Sequence, residues 1–395
     1  MTKKLHYQYV LLQGSYYAVA ACFIGYMVPV LQKQGFDHAQ IGVFLSIRAI
    51  FSVFFQPVFA QLMDRFGSKI SFNHLIAGMV VVSMAVTGVQ LLKPSFLGTL
   101  FLFAFYGIFT FGMVSFIDAM STLYFFQGKQ INYPVARGVG SLSYAVSAVC
   151  VGFLVQPTTI LFAQFLLFIP LLTAVLMIDS IKGVESTEVT TEKMMSFGQL
   201  MKAYPLFKFF LVAIVISFIG KEMASSFLID VYRAVGGSSR SYGVGSFILA
   251  TSEIPAAILF TKLSNKLGIY RLMLFSFFFA GLRILLIMLA PSLFLLNVAQ
   301  AFQMLGNGLF WAGNVQFIRT ILPPAFSVKA QAAVGVCYLG IGSGVGSMMS
   351  GLILAYTNLT TLLSLAALLS FLGLVILYLG KKYQPTQVPI MVKEV

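Results

Sequence analysis

Residues 50–70 read IFSVFFQPVFAQLMDRFGSKI. A thick apolar run ends, without a spacer, in Asp64, Arg65, Gly67 and Lys69. A bilayer-spanning helix needs about 20 mostly apolar residues, so the run reads as a span and the charged knot as the turn that leads out of it. The rest of the chain repeats the theme. Of its 395 residues 59% are hydrophobic and 9% charged, with a mean hydropathy of +0.93, whereas ordinary soluble domains carry about 25% charged residues. The solvent of this protein is lipid.

Apolar stretches recur from end to end, near 8–32, 39–63, 70–92, 97–124, 134–156, 158–180, 205–230, 239–263, 270–290, 293–319, 328–356 and 359–380. These define spans one to twelve of an all-α integral membrane protein. A transmembrane β-barrel, with alternating segments of about ten residues, is excluded by their length and continuity. MTKKLHYQYVLLQGSYY offers no small-residue cleavage site behind a short apolar core, and reads as a retained first span. With both termini in the cytoplasm, the inner loops collect Lys3, Lys4, Arg65, Lys69, Lys129, Lys262, Lys266, Arg271, Arg319, Lys381 and Lys382. The outside keeps Lys33, Lys93, Arg233 and Arg240. This is the positive-inside asymmetry, and it assigns the formal charge of +14 to anionic lipid, since a nucleic-acid binder would need a basic soluble domain. Cys22, Cys150 and Cys337 lie singly in apolar spans, and His6, His38 and His74 lack a second ligand at metal spacing. No metal, cofactor or nucleic-acid partner is expected.

One long polar connection, DSIKGVESTEVTTEKMMSFGQLMKAYP at 179–205, falls mid-chain with six spans on either side. The expected domains are 1–181, a cytoplasmic linker at 182–204, and 205–395. The opening motif echoes across that divide: AQLMDRFGSKI at 60–70 against TKLSNKLGIYR at 261–271, with Gly67 matched by Gly268 and Asp64 by Asn265. Both copies follow the second span of their half. Such a repeat implies two six-helix bundles related by an axis along the membrane normal, with a ligand site at the midplane between them.

The duplicated twelve-span layout and the loop between spans two and three resemble the major facilitator superfamily. IFSVFFQPVFAQLMDRFGSKI is most similar to lactose permease and the oligosaccharide:proton symporters. SFIDAM in span four, ARGVGSLSYAVSAVCVG in span five, SEIPAAILF in span eight and GLRILL in span nine resemble that branch in the same order. The resemblance implies a major facilitator fold working by alternating access, moving a small solute such as a sugar or oligosaccharide with a proton across the cytoplasmic membrane, as a monomer and not as an enzyme. A drug or organic-acid exporter of the same superfamily is the alternative. It also implies that Asp64, Arg65, Gly67 and Lys69 form a gating loop holding the cytoplasmic helix ends, with Gly67 permitting the tight turn.

Ionisable residues inside a bilayer are costly and mark function. Here they are Arg48, Asp118, Lys221, Glu222, Glu253 and Arg283, with Arg137 at the start of span five; mutual pairing across a central cavity is expected, with Arg48 meeting Asp118 or Glu222. Arg137, Ser141 and Tyr144 share one helical face. The resemblance puts Asp118 and Arg137 on the sugar hydroxyls, a carboxylate acceptor beside a rigid fork of donors, Tyr144 where a stacking tryptophan is expected, and Glu253 as the acid of the opposite half. Independently of any family, Gln300, Gln303, Asn307, Trp311 and Asn314 follow at steps of three and four, which predicts one stripe on span ten facing into the protein. Sugar recognition and interhelical hydrogen bonding both account for such a stripe. Proton coupling falls to Glu222 and Glu253, then Asp118, with Arg283, Lys221 and Arg48 as charge partners. The symporters' histidine and glutamate in span ten and lysine in span eleven are absent, replaced by Gln303, Gly306 and the neighbourhood of Leu339. GIGSGVG at 340–346 has no strand before it and reads as helix packing, not as a nucleotide loop.

Overall fold

The computed structural model describes residues 3–59, 61, 71–154, 156–181, 196–323 and 326–383. Asp64, Arg65, Gly67 and Lys69, and most of the expected linker, lie outside the described residues. Among the described residues nine helices are long and apolar enough to cross a membrane, or twelve if each bent pair is one span. The helices are the only structure in which a chain segment in lipid satisfies its own backbone groups, and their starts carry local signals. Asp37 caps span two by accepting from the Gln40 backbone at 2.8 Å while Gln40 answers the Asp37 amide, a capping box. Ser196 and Gln199 build a second one before a short helix, Phe197–Ala203, which turns 109° into span seven.

Several spans are broken, and the breaks have identifiable causes. Span one, Lys3–Gly25 plus Met27–Lys33, bends by 42° after a π-helical turn at Ala21–Gly25. Span eight, Ser239–Leu267, holds Pro255 and bends by 56° just beyond it, as expected where a proline removes a helix hydrogen bond. Span four, Phe96–Phe125, and span eleven, Lys329–Tyr356, contain π stretches at Tyr106–Phe111 and Val336–Gly342. Span ten, Leu293–Ile321, passes through a 3₁₀ turn at Phe302–Met304 and resumes at Asn307.

Spans one to six pack as one bundle and seven to twelve as the other, and the two meet along the span five–eight and span two–eleven pairs. Glycine decides how closely. A Cβ on Gly42 of span two would fall 2.8 Å from the Ser347 carbonyl oxygen of span eleven, and one on Gly351 would collide with the His38 carbonyl. Gly152 and Gly243 do the same for spans five and eight, against Ser239 and Ala148 backbone. All four contacts cluster at the end carrying the 1–2, 5–6, 7–8 and 11–12 connections, so the bundles are pressed together there. The glycines of 340–346 pack helices: Gly344 faces Ile50 and Gly346 faces Glu222.

Candidate functional site

In the N-terminal bundle, span one supplies what the sequence reading missed. Gln13 donates to the Asp118 carboxylate at 2.8 Å and to the Tyr9 hydroxyl at 3.0 Å, and Tyr9 donates to the Ile117 carbonyl at 2.9 Å. Arg137 lays its guanidinium over the Tyr17 ring, 4.2 Å from the centroid. Tyr9, Gln13 and Tyr17 stand at i, i+4, i+8, a polar face of the helix that could have been read from the sequence. Tyr133 lies within electrostatic reach of both Asp118 and Arg137. Ser141 and Tyr144 are half-buried on the Arg137 face. Tyr144 turns toward the span-one bend, where its hydroxyl sits 3.6 Å from the position of a Cβ on Gly25.

The C-terminal bundle organises around the break in span ten. Gly306 packs against the Ala280 backbone of span nine, and its carbonyl accepts from Ser276 Oγ at 2.9 Å, which holds the break open. Glu253 of span eight receives both amides at one oxygen, Oε1: Gln303 Nε2 at 3.0 Å and Asn307 Nδ2 at 2.9 Å. The continuous amide stripe expected on span ten is not what forms. Across the interruption Gln300 accepts from Arg283 at 2.5 Å, while Gln303 and Asn307 take Glu253, and Arg283, Gln303 and Asn307 line one cavity. Asn314 is buried. Trp311 is 41% exposed and packs edge-on against Tyr338 and Phe310; it is Phe310 that faces the adjoining cavity.

That cavity, about 20 Å³ and partly open, lies inside the C-terminal bundle between spans seven, nine and ten. Lys221, Arg283, Gln303 and Asn307 form its polar wall and Phe218, Phe277 and Phe310 its apolar one. Glu222 points elsewhere, into hydroxyls of Ser226, Ser343 and Ser347, each at 3.4 Å.

Arg48 is buried on span two, donating to the Phe23 carbonyl at 3.3 Å and standing 4.4 Å over the Phe111 ring. Both partners sit on π-helical turns, of spans one and four, whose loosened ladder frees a carbonyl. The expected ion pairing is not seen in this conformation. Among the described residues none of Arg48, Arg137, Lys221 and Arg283 comes within 4 Å of a carboxylate. Asp118, Glu222 and Glu253 accept from amides or hydroxyls; the cations meet ring faces, a carbonyl or an amide, and the buried Nε of Arg48 and of Arg283 has no partner among the described residues. Arg48 nonetheless feels Glu222 of the opposite bundle.

The cross-bundle charge contacts lie instead at the closed end. Asp230 accepts from Gln32 Nε2 at 2.8 and 3.1 Å, meets His38 Nε2 at 3.3 Å and receives Arg233 at 2.9 Å, while Arg233 donates to Gln32 Oε1 at 2.6 Å. Tyr26 adds a hydroxyl shared between the Ala148 and Ser239 carbonyls, at 2.6 and 3.2 Å. His38, without a role in the sequence reading, is thus part of a latch; only the i, i+3 spacing of Asp230 and Arg233 hinted at it.

Two bundles of apolar helices that enclose buried polar clusters and join at one end define a membrane transporter of the major facilitator class, not an enzyme. Residues 6–365 match the MFS_1 like family, and the chain belongs to it. It is 26% identical over 395 residues to the uncharacterized transporter YwbF of Bacillus subtilis (strain 168), with 94% of each chain covered. It is 21% identical over 345 residues to the maltose permease of Geobacillus stearothermophilus, covering 86% of this chain and 84% of that one. Among solved structures, the nucleoside transporter NupG superposes with a TM-score of 0.77 at 16% identity, covering 98% and 100% of the two chains. A point mutant of the peptide transporter POT superposes at 0.70 with 14% identity, covering 96% and 94%. At these identities the structural likenesses speak to the fold alone.

Proposed function

We propose that this protein is a secondary active transporter that carries a small polyhydroxylated solute, a sugar or oligosaccharide, across the cytoplasmic membrane by alternating access, coupled to protons. The observation that carries the reading is the pair of carboxylates in opposite bundles, Asp118 and Glu253, each held by side-chain amides and free to exchange them for solute hydroxyls. A carboxylate accepts from two hydroxyls at once and a guanidinium donates as a fork, which suits Asp118 and Arg137, with Ser141 and Tyr144 beside them. Gln303 and Asn307 offer a matching amide pair from the other half, with Gln300, Asn314 and Trp311 around them. The names of two relatives, a maltose permease and a nucleoside transporter, agree with a sugar-like substrate. The termini face the cytoplasm, the domains are 1–181 and 205–395 joined by 182–204, and a single chain is the working unit. The closed end is then the outer gate, and Asp64, Arg65, Gly67 and Lys69 belong to the inner one.

Glu222 and Glu253 are the coupling carboxylates of this reading. Counterflow of labelled disaccharides in proteoliposomes, in competition with drugs and aromatic acids, tests it: exchange of the disaccharide supports a sugar carrier, and exchange of only the others supports the exporter. Indifference of uptake to an imposed pH gradient would leave a uniporter. The exporter reading draws on one observation, the phenylalanine wall beside Lys221 and Arg283.

A further inference from the structure

The cations of the C-terminal cavity are left without counter-charges. Lys221 and Arg283 face the same partly open space. Among the described residues the Lys221 ammonium stands by the ring faces of Phe218 and Tyr338, at 5.3 and 5.1 Å, with no carboxylate within 4 Å. Arg283, 3% exposed, donates one hydrogen bond, to Gln300, while its buried Nε has no partner. A guanidinium has five N–H donors, and buried donors are ordinarily satisfied. The carboxylates that could have met these groups are turned to neutral donors: Glu222 to three serines, Glu253 to two amides.

The same imbalance holds for the ionisable residues of the spans as a whole. Four cations, Arg48, Arg137, Lys221 and Arg283, stand against three carboxylates, Asp118, Glu222 and Glu253, which leaves one formal positive charge in excess in a setting where unpaired charge is costly. With all three carboxylates ionised, a solute with one negative charge restores neutrality and a dianion overshoots it. At about 20 Å³ the space admits little more than a water, so the carboxylate of such a solute would displace it while Gln303 and Asn307 meet hydroxyls from the same wall.

We infer that Lys221 and Arg283 form an anion subsite, and that the preferred solute is a monoanion carrying a carboxylate, of the class of sugar acids. This rests on the transport reading above and narrows its substrate.

Binding to the purified full chain in nanodiscs, followed by isothermal titration, tests it with matched probes: glucose against glucuronate, maltose against maltobionate, and glucose 6-phosphate as the dianionic phosphate. In at least one pair the carboxylate should bind about tenfold or more tightly than its neutral partner. The phosphate should gain less, and the preference should shrink as salt rises. Lys221→Gln should bring the ratio of carboxylate to neutral affinity close to one, and Lys221→Arg, which keeps the charge, should preserve it. Equal affinity of the neutral and anionic members, or a Lys221→Gln protein that keeps the full preference, overturns the subsite while leaving a neutral-sugar carrier standing. A stronger gain with the phosphate overturns the carboxylate assignment. Binding of no probe, with none exchanged in counterflow, overturns the transport reading and the subsite together.

Discussion

Asp230→Asn should loosen the end at which the bundles are pressed together. In the closed arrangement the Asp230 carboxylate holds the opposite bundle through Gln32, at 2.8 and 3.1 Å, and through His38 at 3.3 Å. A hydrogen bond to a charged group contributes about 1.5–3 kcal/mol when well buried, and an exposed ion pair about 0.2–1 kcal/mol. The Asp230 side chain is 15% exposed and His38 40%, so the Gln32 bond belongs near the lower end of the first range and the His38 contact within the second. Asparagine keeps one acceptor oxygen and the shape, and the Arg233–Gln32 bond at 2.6 Å survives. The net loss is then about 1–1.5 kcal/mol, close to a tenfold shift toward opening, since 1.4 kcal/mol is a factor of ten. Spin labels at the exposed positions Thr158 and Pro291, one on each bundle, with Cys22, Cys150 and Cys337 replaced by alanine, report this by pulsed dipolar spectroscopy. The long-distance population should rise by roughly that factor. A distribution unchanged from the parent, in a protein of equal thermal stability, would refute the view that these contacts hold the end closed.

Gly351→Leu should drive spans two and eleven apart at the His38 carbonyl and abolish transport, at a destabilisation of about 1–3 kcal/mol typical of overpacking. Gly340→Ala, whose added Cβ would meet Val53 at an ordinary 3.4 Å, should transport normally; thermal melting and uptake separate the two. Of Glu222→Gln and Glu253→Gln, the substitution at the coupling carboxylate should keep counterflow but lose accumulation driven by a pH gradient, and if both variants accumulate normally neither residue couples. Asp64→Asn should slow transport with substrate binding intact, and lost binding in titration would place Asp64 in the site instead of the gate.

The opening stretch shows how far a local pattern reaches. Hydropathy adds up along the chain and the bilayer forces each long apolar run into a helix, so solvent, span positions and the seven ionisable residues within or at the ends of the spans are all legible without a fold. Partnerships are not. Gln13 and Asp118 are separated by 105 residues and Gln32 and Asp230 by 198, and nothing in a helical repeat says which spans will be neighbours. The expected pairing of cations with carboxylates fails in this conformation for that reason: neutral amides, serines and ring faces from other helices arrive first. The span-ten stripe is interrupted for a related reason, since a 100° repeat assumes an unbroken helix, and the turn at Phe302–Gly306 is stabilised by packing on span nine and by the Ser276 hydroxyl. What the sequence determined by itself is the set of membrane helices and the charges they carry into the bilayer. The tertiary structure alone decided which of those charges are satisfied, because burial and hydrogen bonding depend on the neighbours that long-range packing brings to each side chain.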